Sequence, residues 1–148
     1  MIKVLFVCHG NICRSTMAES MFTNMVKNMN CYDDFLIDSA ATSTEEIGNP
    51  PHYGTVKKLK EKNIPIVEHY ARQITREDFI NFDYIIAMDE NNIRNIERFL
   101  KHKNDKVYKL LNFNNTNDDI TDPWYTNDFE KTYLDIKKGL EAFIKKIK

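Results

Sequence analysis

Short apolar runs along this chain alternate with longer stretches in which apolar residues recur every three or four positions. The short runs predict β-strands at residues 2–7, 35–39, 84–88 and 107–111. The periodic stretches predict helices at residues 16–28 and 52–63, a short helix from Arg76 capped by Thr75, a helix capped by Asp89, and a final helix from Asp128. Strands and helices therefore alternate along most of the chain.

Two helical faces indicate where the core lies. The final helix carries one apolar stripe, formed by Phe129, Tyr133, Ile136, Leu140, Phe143 and Ile147. The first helix has a face formed by Met17, Met21, Phe22 and Met25. Because methionine adapts to irregular gaps in protein interiors, we interpret this face as core rather than as a binding surface.

The alternation of strands and helices predicts an α/β fold, in which a parallel sheet is covered by helices on both faces. A chain of 148 residues fits one domain, residues 1–148, and no repeat or linker divides it. Ligands of such sheets bind beyond the carboxyl ends of the strands, where the strand order reverses. We therefore expect the functional site at the end of a strand.

Composition narrows the class of partner. Lysine and arginine number 21 against 22 aspartates and glutamates, so we expect neither nucleic acid nor an anionic membrane surface as partner. The apolar runs are too short to span a bilayer, and the first residues enter a strand without a signal-peptide pattern. Three cysteines do not make a secreted disulfide framework. We expect a cytoplasmic protein that acts as a monomer.

The first predicted strand leads directly into Cys8, and five residues separate Cys8 from Arg14 at the start of a helix. Loop N–H groups and a helix N-terminus together form a site for an anion, and a cysteine at its base is favoured as the thiolate nucleophile. The arginine fork suits two phosphate oxygens. The predicted phosphate-binding loop consists of His9, Gly10, Asn11, Ile12, Cys13, Arg14 and Ser15.

The spacing of Cys8 and Arg14 also fits a buried strand-end cysteine followed by a solvated arginine. The preceding strand, the Gly10-Asn11 pair suited to a tight turn, and the following helix favour a phosphoryl-transfer site.

The segment Val7-Cys8-His9-Gly10-Asn11-Ile12-Cys13-Arg14-Ser15 resembles the signature of the low-molecular-weight protein tyrosine phosphatases. Further motifs resemble this family in the same order, at residues 38–43, 47–51, 71–75, 77–79, 82–85, 87–90 and 122–123. The resemblance implies a flavodoxin-like three-layer sandwich with a four-stranded parallel sheet in the order 2-1-3-4. It also implies a cysteine-based hydrolase of phosphotyrosine that uses no cofactor and no metal.

A phenolate leaving group needs a proton, and the loop itself contains no acid. The resemblance implies that Asp122 is the general acid, although an Asp-Pro pair is also common at the start of a turn. It further implies that Asn11, Ser39 and His69 brace the loop. Ser15 fits two interpretations, a helix cap or a hydrogen-bond donor to the sulfur of Cys8.

A deep cleft favours phosphotyrosine, because a phenyl arm reaches a buried cysteine better than serine does. The predicted cleft residues are His9, Ile12, Glu45, Trp124 and Tyr125. Family members that act on phosphoarginine have threonine in place of Ile12, so isoleucine favours phosphotyrosine. Partners would be phosphotyrosine-containing proteins or peptides, with inorganic phosphate as product. His9 and Trp124 depart from the leucine and tyrosine common in the family.

Cys13 has two interpretations, a small apolar filler or, as the resemblance implies, a redox partner of Cys8. Four alternative functions stay open at this point. They are a protein arginine phosphatase, a thioredoxin-coupled arsenate reductase, a phosphopeptide-binding module without activity, and a redox switch. The reductase would need two cysteines further along the chain, whereas none follows Cys31.

Overall fold

The computed structural model describes residues 1–148. Its sheet contains four strands, β1 (Ile2–Cys8), β2 (Phe35–Ala41), β3 (Tyr84–Ala87) and β4 (Val107–Lys109). All neighbours are parallel, and their order is β2-β1-β3-β4. The expected four-stranded parallel sheet and its order are confirmed. No helix is long and apolar enough to cross a bilayer.

Six helices surround the sheet: α1 (Arg14–Asn28), α2 (Tyr53–Glu61), α3 (Arg76–Asn81), α4 (Glu90–Leu100), α5 (Pro123–Thr126) and α6 (Phe129–Ile147). Their caps agree with the sequence. Thr75 caps α3 in a reciprocal pair with Asp78, and the carboxylate of Asp89 accepts from the N–H of Asn92 at the start of α4. Asp128 caps α6 by accepting from the N–H of Lys131.

Most predicted boundaries agree with the structure to within two residues, and two segments differ in kind. The strand predicted at residues 107–111 stops at Lys109, and a 3₁₀ turn follows at Leu110–Asn114. The reason is packing, since the side chain of Leu110 lies directly against the Cα of Gly139 in α6. The short helix α5 lies inside residues 112–127, which the polar pattern predicts as turns.

The sheet separates two apolar layers, because successive side chains of β1 point to opposite faces. Val4 and Phe6 pack with α1 and α6, whereas Leu5 and Val7 pack with α3 and α4. These four side chains are fully buried, as expected for a parallel strand covered on both faces. The methionine-rich face of α1 lies in the first layer, so its interpretation as core is confirmed.

The carboxyl end of β1 lies at the reversal of strand order. The chain passes from β1 through α1 to β2 on one side, while β3 pairs with β1 on the other. Cys8 is the last residue of β1, and Asp89 follows the end of β3 by two residues. Both therefore lie at the same edge of the sheet, at its switch point.

Candidate active site

A tight loop joins β1 to α1 around the sulfur of Cys8. Asn11 adopts a left-handed backbone with φ of 59°, which asparagine tolerates better than most residues. The backbone carbonyls of Cys8 and His9 accept from the N–H groups of Thr42 and Ser43, at 3.0 Å each. Cys8 is 3% exposed, so its thiol lies at the base of a concave site.

Ser15 contacts the sulfur of Cys8 directly. Its Oγ lies 3.1 Å from Cys8 Sγ, and its backbone N–H donates to the same sulfur at 3.4 Å. Asn11 Nδ2 donates to Ser15 Oγ at 2.7 Å, which leaves the hydroxyl hydrogen of Ser15 free for the sulfur. The N-cap of α1 is Cys13 and has no side-chain hydrogen bond, so the interpretation of Ser15 as a cap was wrong.

The amide of Asn11 connects the loop to the residues predicted to support it. Its Oδ1 accepts from the backbone N–H of Arg72 at 3.2 Å and from His69 Nε2 at 2.6 Å. Its Nδ2 also donates to Ser39 Oγ at 2.9 Å. The backbone donor fixes which end of the amide is oxygen, because an N–H of the main chain cannot accept. The structure thus brings Asn11, Ser15, Ser39 and His69 into one network.

Glu19 lies beneath this network and was not predicted as a site residue. Ser39 Oγ donates to Glu19 Oε1 at 2.6 Å, and the glutamate is 4% exposed. Burial raises the pKa of Glu19 to about 7, and burial lowers the pKa of His69. Both groups are therefore shifted toward their neutral forms inside the protein.

Arg14 is the most constrained charge in the site, and it is 2% exposed. Its Nη1 donates to Asp89 Oδ2 at 2.6 Å and to the carbonyl of Ile120 at 2.8 Å. Burial alone would lower the pKa of Arg14, but the negative charges of Cys8 and Asp89 outweigh it and raise the pKa. Arg14 Nε is buried and has no partner among the protein atoms. The alternative of a solvated Arg14 was wrong.

Asp122 faces the same cleft from the opposite wall. Its Oδ1 accepts from the N–H of Trp124 at 3.0 Å, which makes it the cap of α5, and Pro123 occupies the first helical position. Its Oδ2 lies 3.4 Å from Arg14 Nη2, and the side chain is 21% exposed. Asp122 is thus both a turn-starting aspartate and a wall of the cleft that contains Cys8.

Every residue predicted for the cleft lines it. Its rim consists of His9, Glu45, Glu46, Trp124 and Tyr125, which are exposed or half-buried, whereas Ile12 is only 9% exposed. His9 Nε2 lies 3.0 Å from Glu45 Oε2, and both side chains remain exposed. Trp124 and Tyr125 are 57% and 81% exposed, so two aromatic rings are available beside the opening. Cys13 also lines the cleft, and burial raises the pKa of its thiol to about 12.

Asp89 is the contact of Arg14 that the sequence did not reveal, since we predicted it only as a helix cap. It performs both tasks with different oxygens, because Oδ1 accepts from Asn92 N at 2.8 Å and Oδ2 accepts from Arg14. A signal was available. Residues that follow neighbouring parallel strands meet at one edge, and Asp89 follows β3 as the loop follows β1.

Comparisons with known proteins agree with this geometry. The family model described as "Low molecular weight phosphotyrosine protein phosphatase" matches residues 3–148. The rat protein of that name is 46% identical over 150 residues, which cover 97% of this chain and 94% of the rat protein. YfkJ of Bacillus subtilis, named as a low molecular weight protein-tyrosine-phosphatase, is 41% identical, covering 99% of this chain and 96% of YfkJ.

Solved structures give the same result. The crystal structure of YfkJ superposes with a TM-score of 0.95 at 41% identity and covers 99% of this chain and 94% of that chain. A Drosophila arginine phosphatase superposes with a TM-score of 0.90 at 31% identity and covers 99% of this chain and 98% of its own. The match to the family model, the identity to its members and the shared fold together establish that this chain belongs to the low molecular weight phosphotyrosine protein phosphatase family.

Proposed function

We propose that this protein hydrolyses phosphotyrosine and aryl phosphates through a cysteinyl-phosphate intermediate. The observation that carries the proposal is that Cys8 and the Asp122 carboxylate line one cleft, while the buried Arg14 guanidinium lies 3.4 Å from Asp122. These are a nucleophile, a phosphate-binding cation and a proton donor, which are the three groups that transfer of a phosphoryl group to sulfur requires. Family membership supports the same activity.

In the first step, the thiolate of Cys8 attacks phosphorus in line with the leaving oxygen. An S–P bond forms, the P–O bond breaks, and its electron pair goes to the phenolate oxygen. Protonated Asp122 gives its proton to that oxygen, so neutral tyrosine leaves. Loop N–H groups and Arg14 stabilise the charge on the three remaining phosphate oxygens, and Arg14 Nε is available for one of them.

In the second step, a water molecule attacks the phosphorus of the intermediate. Asp122, now a carboxylate, takes the proton of the water while the S–P bond breaks. The electron pair returns to sulfur, inorganic phosphate leaves, and Ser15 donates to the regenerated thiolate. The residues account for both steps without a metal ion.

The cleft mouth supports phosphotyrosine as the substrate. Ile12 and Trp124 offer apolar surface to a flat ring between the opening and the sulfur. Phosphoarginine is the second candidate, because a structural relative is named as an arginine phosphatase. We propose that Ile12 favours the aryl substrate, since threonine occupies this position in the phosphoarginine-specific members.

We further propose that the protein works in the cytoplasm on phosphotyrosine-containing proteins and as a monomer. All three cysteines are free thiols and buried, which suits a reducing compartment.

The decisive experiment compares wild type, Cys8→Ser and Asp122→Asn on a phosphotyrosine peptide and a phosphoarginine peptide, with EDTA and fresh reductant. We expect wild-type hydrolysis of phosphotyrosine in EDTA, none with Cys8→Ser, and a loss of roughly 10²-fold or more with Asp122→Asn. Isothermal titration with phosphate would show that both variants still bind the anion.

Other outcomes distinguish the alternatives. A preference for phosphoarginine would support the covalent mechanism but refute phosphotyrosine as the substrate. Ile12→Thr would then have little effect on the preference. Phosphopeptide binding without turnover would favour the binding module. Activity that is unchanged in Cys8→Ser would refute the covalent mechanism.

A further inference from the structure

A buried lysine lies outside the cleft, at the end of β4. Lys109 is 3% exposed, and no other lysine of the chain is buried to this degree. A buried ammonium group is unfavourable unless its charge and its three hydrogen-bond donors are matched. Its partners therefore show what the side chain holds in place.

All partners of the Lys109 ammonium group lie in two segments near the site. Nζ donates to the carbonyl of Asn117 at 2.7 Å, to Asp119 Oδ1 at 3.0 Å and to Glu90 Oε2 at 3.4 Å. Asp119 Oδ1 also accepts from the backbone N–H of Glu90 at 3.1 Å. The lysine thus ties the segment before Asp122 to the first turn of α4.

Asn112 also holds the beginning of this segment, because its Nδ2 donates to the carbonyl of Thr116 at 3.0 Å and to Asn117 Oδ1 at 3.3 Å. Residues 115–119 are polar and mostly exposed, and the first fully buried side chain after them is that of Ile120. The N–H of Ile120 donates to the carbonyl of Met88 at 2.9 Å, and its carbonyl accepts from Arg14. Asp122 follows two residues later, so its position depends on how residues 117–120 are held.

We propose that Lys109 is a positioning residue for the general acid. It fixes the segment 117–120 and thereby sets where the carboxyl of Asp122 stands relative to the leaving oxygen. The inference rests on the proposed function, since it deepens the role of Asp122. The groups that would bind phosphate belong to the loop between β1 and α1. Arg14 contacts the segment 117–120 through the carbonyl of Ile120, but its Nη1 also donates to Asp89, which lies outside that segment.

The choice of substrate distinguishes a positioning role of Lys109 from a general loss of stability. If Lys109 acts through Asp122, its removal harms only substrates whose leaving group needs a proton. Phenyl phosphate leaves as a basic phenolate and needs that proton, whereas 2,4-dinitrophenyl phosphate leaves as a weakly basic anion and does not. A partly unfolded protein would lose activity on both substrates equally, because the phosphate site itself would be lost.

The test measures kcat/KM for both substrates and the inhibition constant for inorganic phosphate in wild type and Lys109→Met. We expect a loss of roughly 10- to 100-fold with phenyl phosphate, because a displacement of about 1 Å at a catalytic group costs on that order. With 2,4-dinitrophenyl phosphate the loss should stay below about threefold, and the phosphate inhibition constant should change by no more than that, because Asp89 still holds Arg14 when the segment shifts. Lys109→Arg should restore most of the activity, since it keeps the charge and several donors.

Lys106→Met is the matched control. Lys106 precedes the first residue of β4, whereas Lys109 is the last, and the Nζ of Lys106 donates to the carbonyls of Phe79 and Ile80 in α3. This control variant should leave the ratio of the two substrates unchanged. Asp119→Asn serves as the second variant where Lys109→Met does not fold, and it should shift the ratio in the same direction.

The proposal would be overturned if kcat/KM fell equally for both substrates, or did not fall, in folded Lys109→Met. The same result in Asp119→Asn would overturn it where Lys109→Met does not fold. Failure of the proposed function is separate, since wild type itself would then turn over neither aryl phosphate.

Discussion

Arg14 Nη1 lies 2.6 Å from Asp89 Oδ2, across the boundary between the loop after β1 and the residues after β3. The other oxygen of Asp89 is held by the first turn of α4, so the carboxylate cannot rotate away from the guanidinium. Together with the carbonyl of Ile120, this contact aligns the fork of Arg14 within the protein interior.

Asp89→Ala should therefore reduce kcat/KM for aryl phosphates by roughly 10-fold or more, because a buried charge loses its hydrogen-bonded partner. Loss of the cap should also lower the free energy of unfolding by about 1 kcal/mol. Asp83→Ala is a suitable control, since Asp83 accepts from Lys3 N at the opposite edge of the sheet. Unchanged kcat/KM in Asp89→Ala would show that Ile120 and Asp122 suffice to orient Arg14.

The buried carboxyl of Glu19 should make stability depend on pH. Its pKa is raised from 4.5 to about 7 in the folded protein, so between these values the folded state holds a proton that the unfolded state has released. The contribution of Glu19 therefore favours folding below pH 4.5 and is lost as pH rises to 7, by about 3 kcal/mol in total.

Glu19→Gln keeps an acceptor for Ser39 and removes this titration. Relative to wild type, the variant should gain stability as pH rises from 5 to 8, as measured by urea unfolding. The lowered pKa of His69 gives the opposite slope, but it is present in both proteins and largely cancels in the difference. Glu141→Gln, at an exposed position of α6, should show no such trend.

Cys13 should protect the nucleophile from irreversible oxidation. Its thiol has a pKa of about 12, raised by burial and then by the charge of Cys8. Peroxide converts the Cys8 thiolate to a sulfenic acid, which removes that charge and favours attack by Cys13 sulfur; an S–S bond forms and water leaves.

After peroxide treatment, wild type should regain activity with dithiothreitol, whereas Cys13→Ser should regain much less. Mass spectrometry of the oxidised wild type should show the loss of two hydrogens. Equal recovery of the two proteins would argue against any redox role of Cys13.

The charge at the cleft mouth should select among peptides. Glu45 and Glu46 place two carboxylates on the rim, and His9 contacts only the first. Glu45→Lys should raise kcat/KM for phosphotyrosine peptides with acidic neighbours by roughly two- to fivefold, because exposed pairs contribute little each. The gain should shrink in high salt. 4-Nitrophenyl phosphate has no flanking residues, so its kcat/KM serves as the internal control and should not change.

The sequence predicts the sheet and the loop well for physical reasons. The apolar runs of β1 and β3 are buried on both faces, so their pattern is continuous, and the motif from Cys8 to Ser15 is local in the chain. Contacts that join distant segments were missed. Arg14 and Asp89 are 75 residues apart, and only the strand order, which places the ends of β1 and β3 at one edge, indicates that they meet.

Glu19 and Lys109 were missed for a related reason. A charged residue within an amphipathic pattern suggests a solvent-exposed face, and its burial becomes visible only when its partners are placed. Helix α5 was missed because Asp-Pro followed by aromatic and polar residues fits a turn as well as one helical turn.

The unpartnered Nε of Arg14 has a thermodynamic consequence. An oxyanion that accepts from this buried donor is coupled to the folded state, because the unfolded chain offers no such site. The melting temperature should rise with the concentration of phosphate, sulfate or vanadate, in proportion to the logarithm of that concentration once the site is saturated. The midpoint measured for this protein is therefore a property of the buffer anion as well as of the chain.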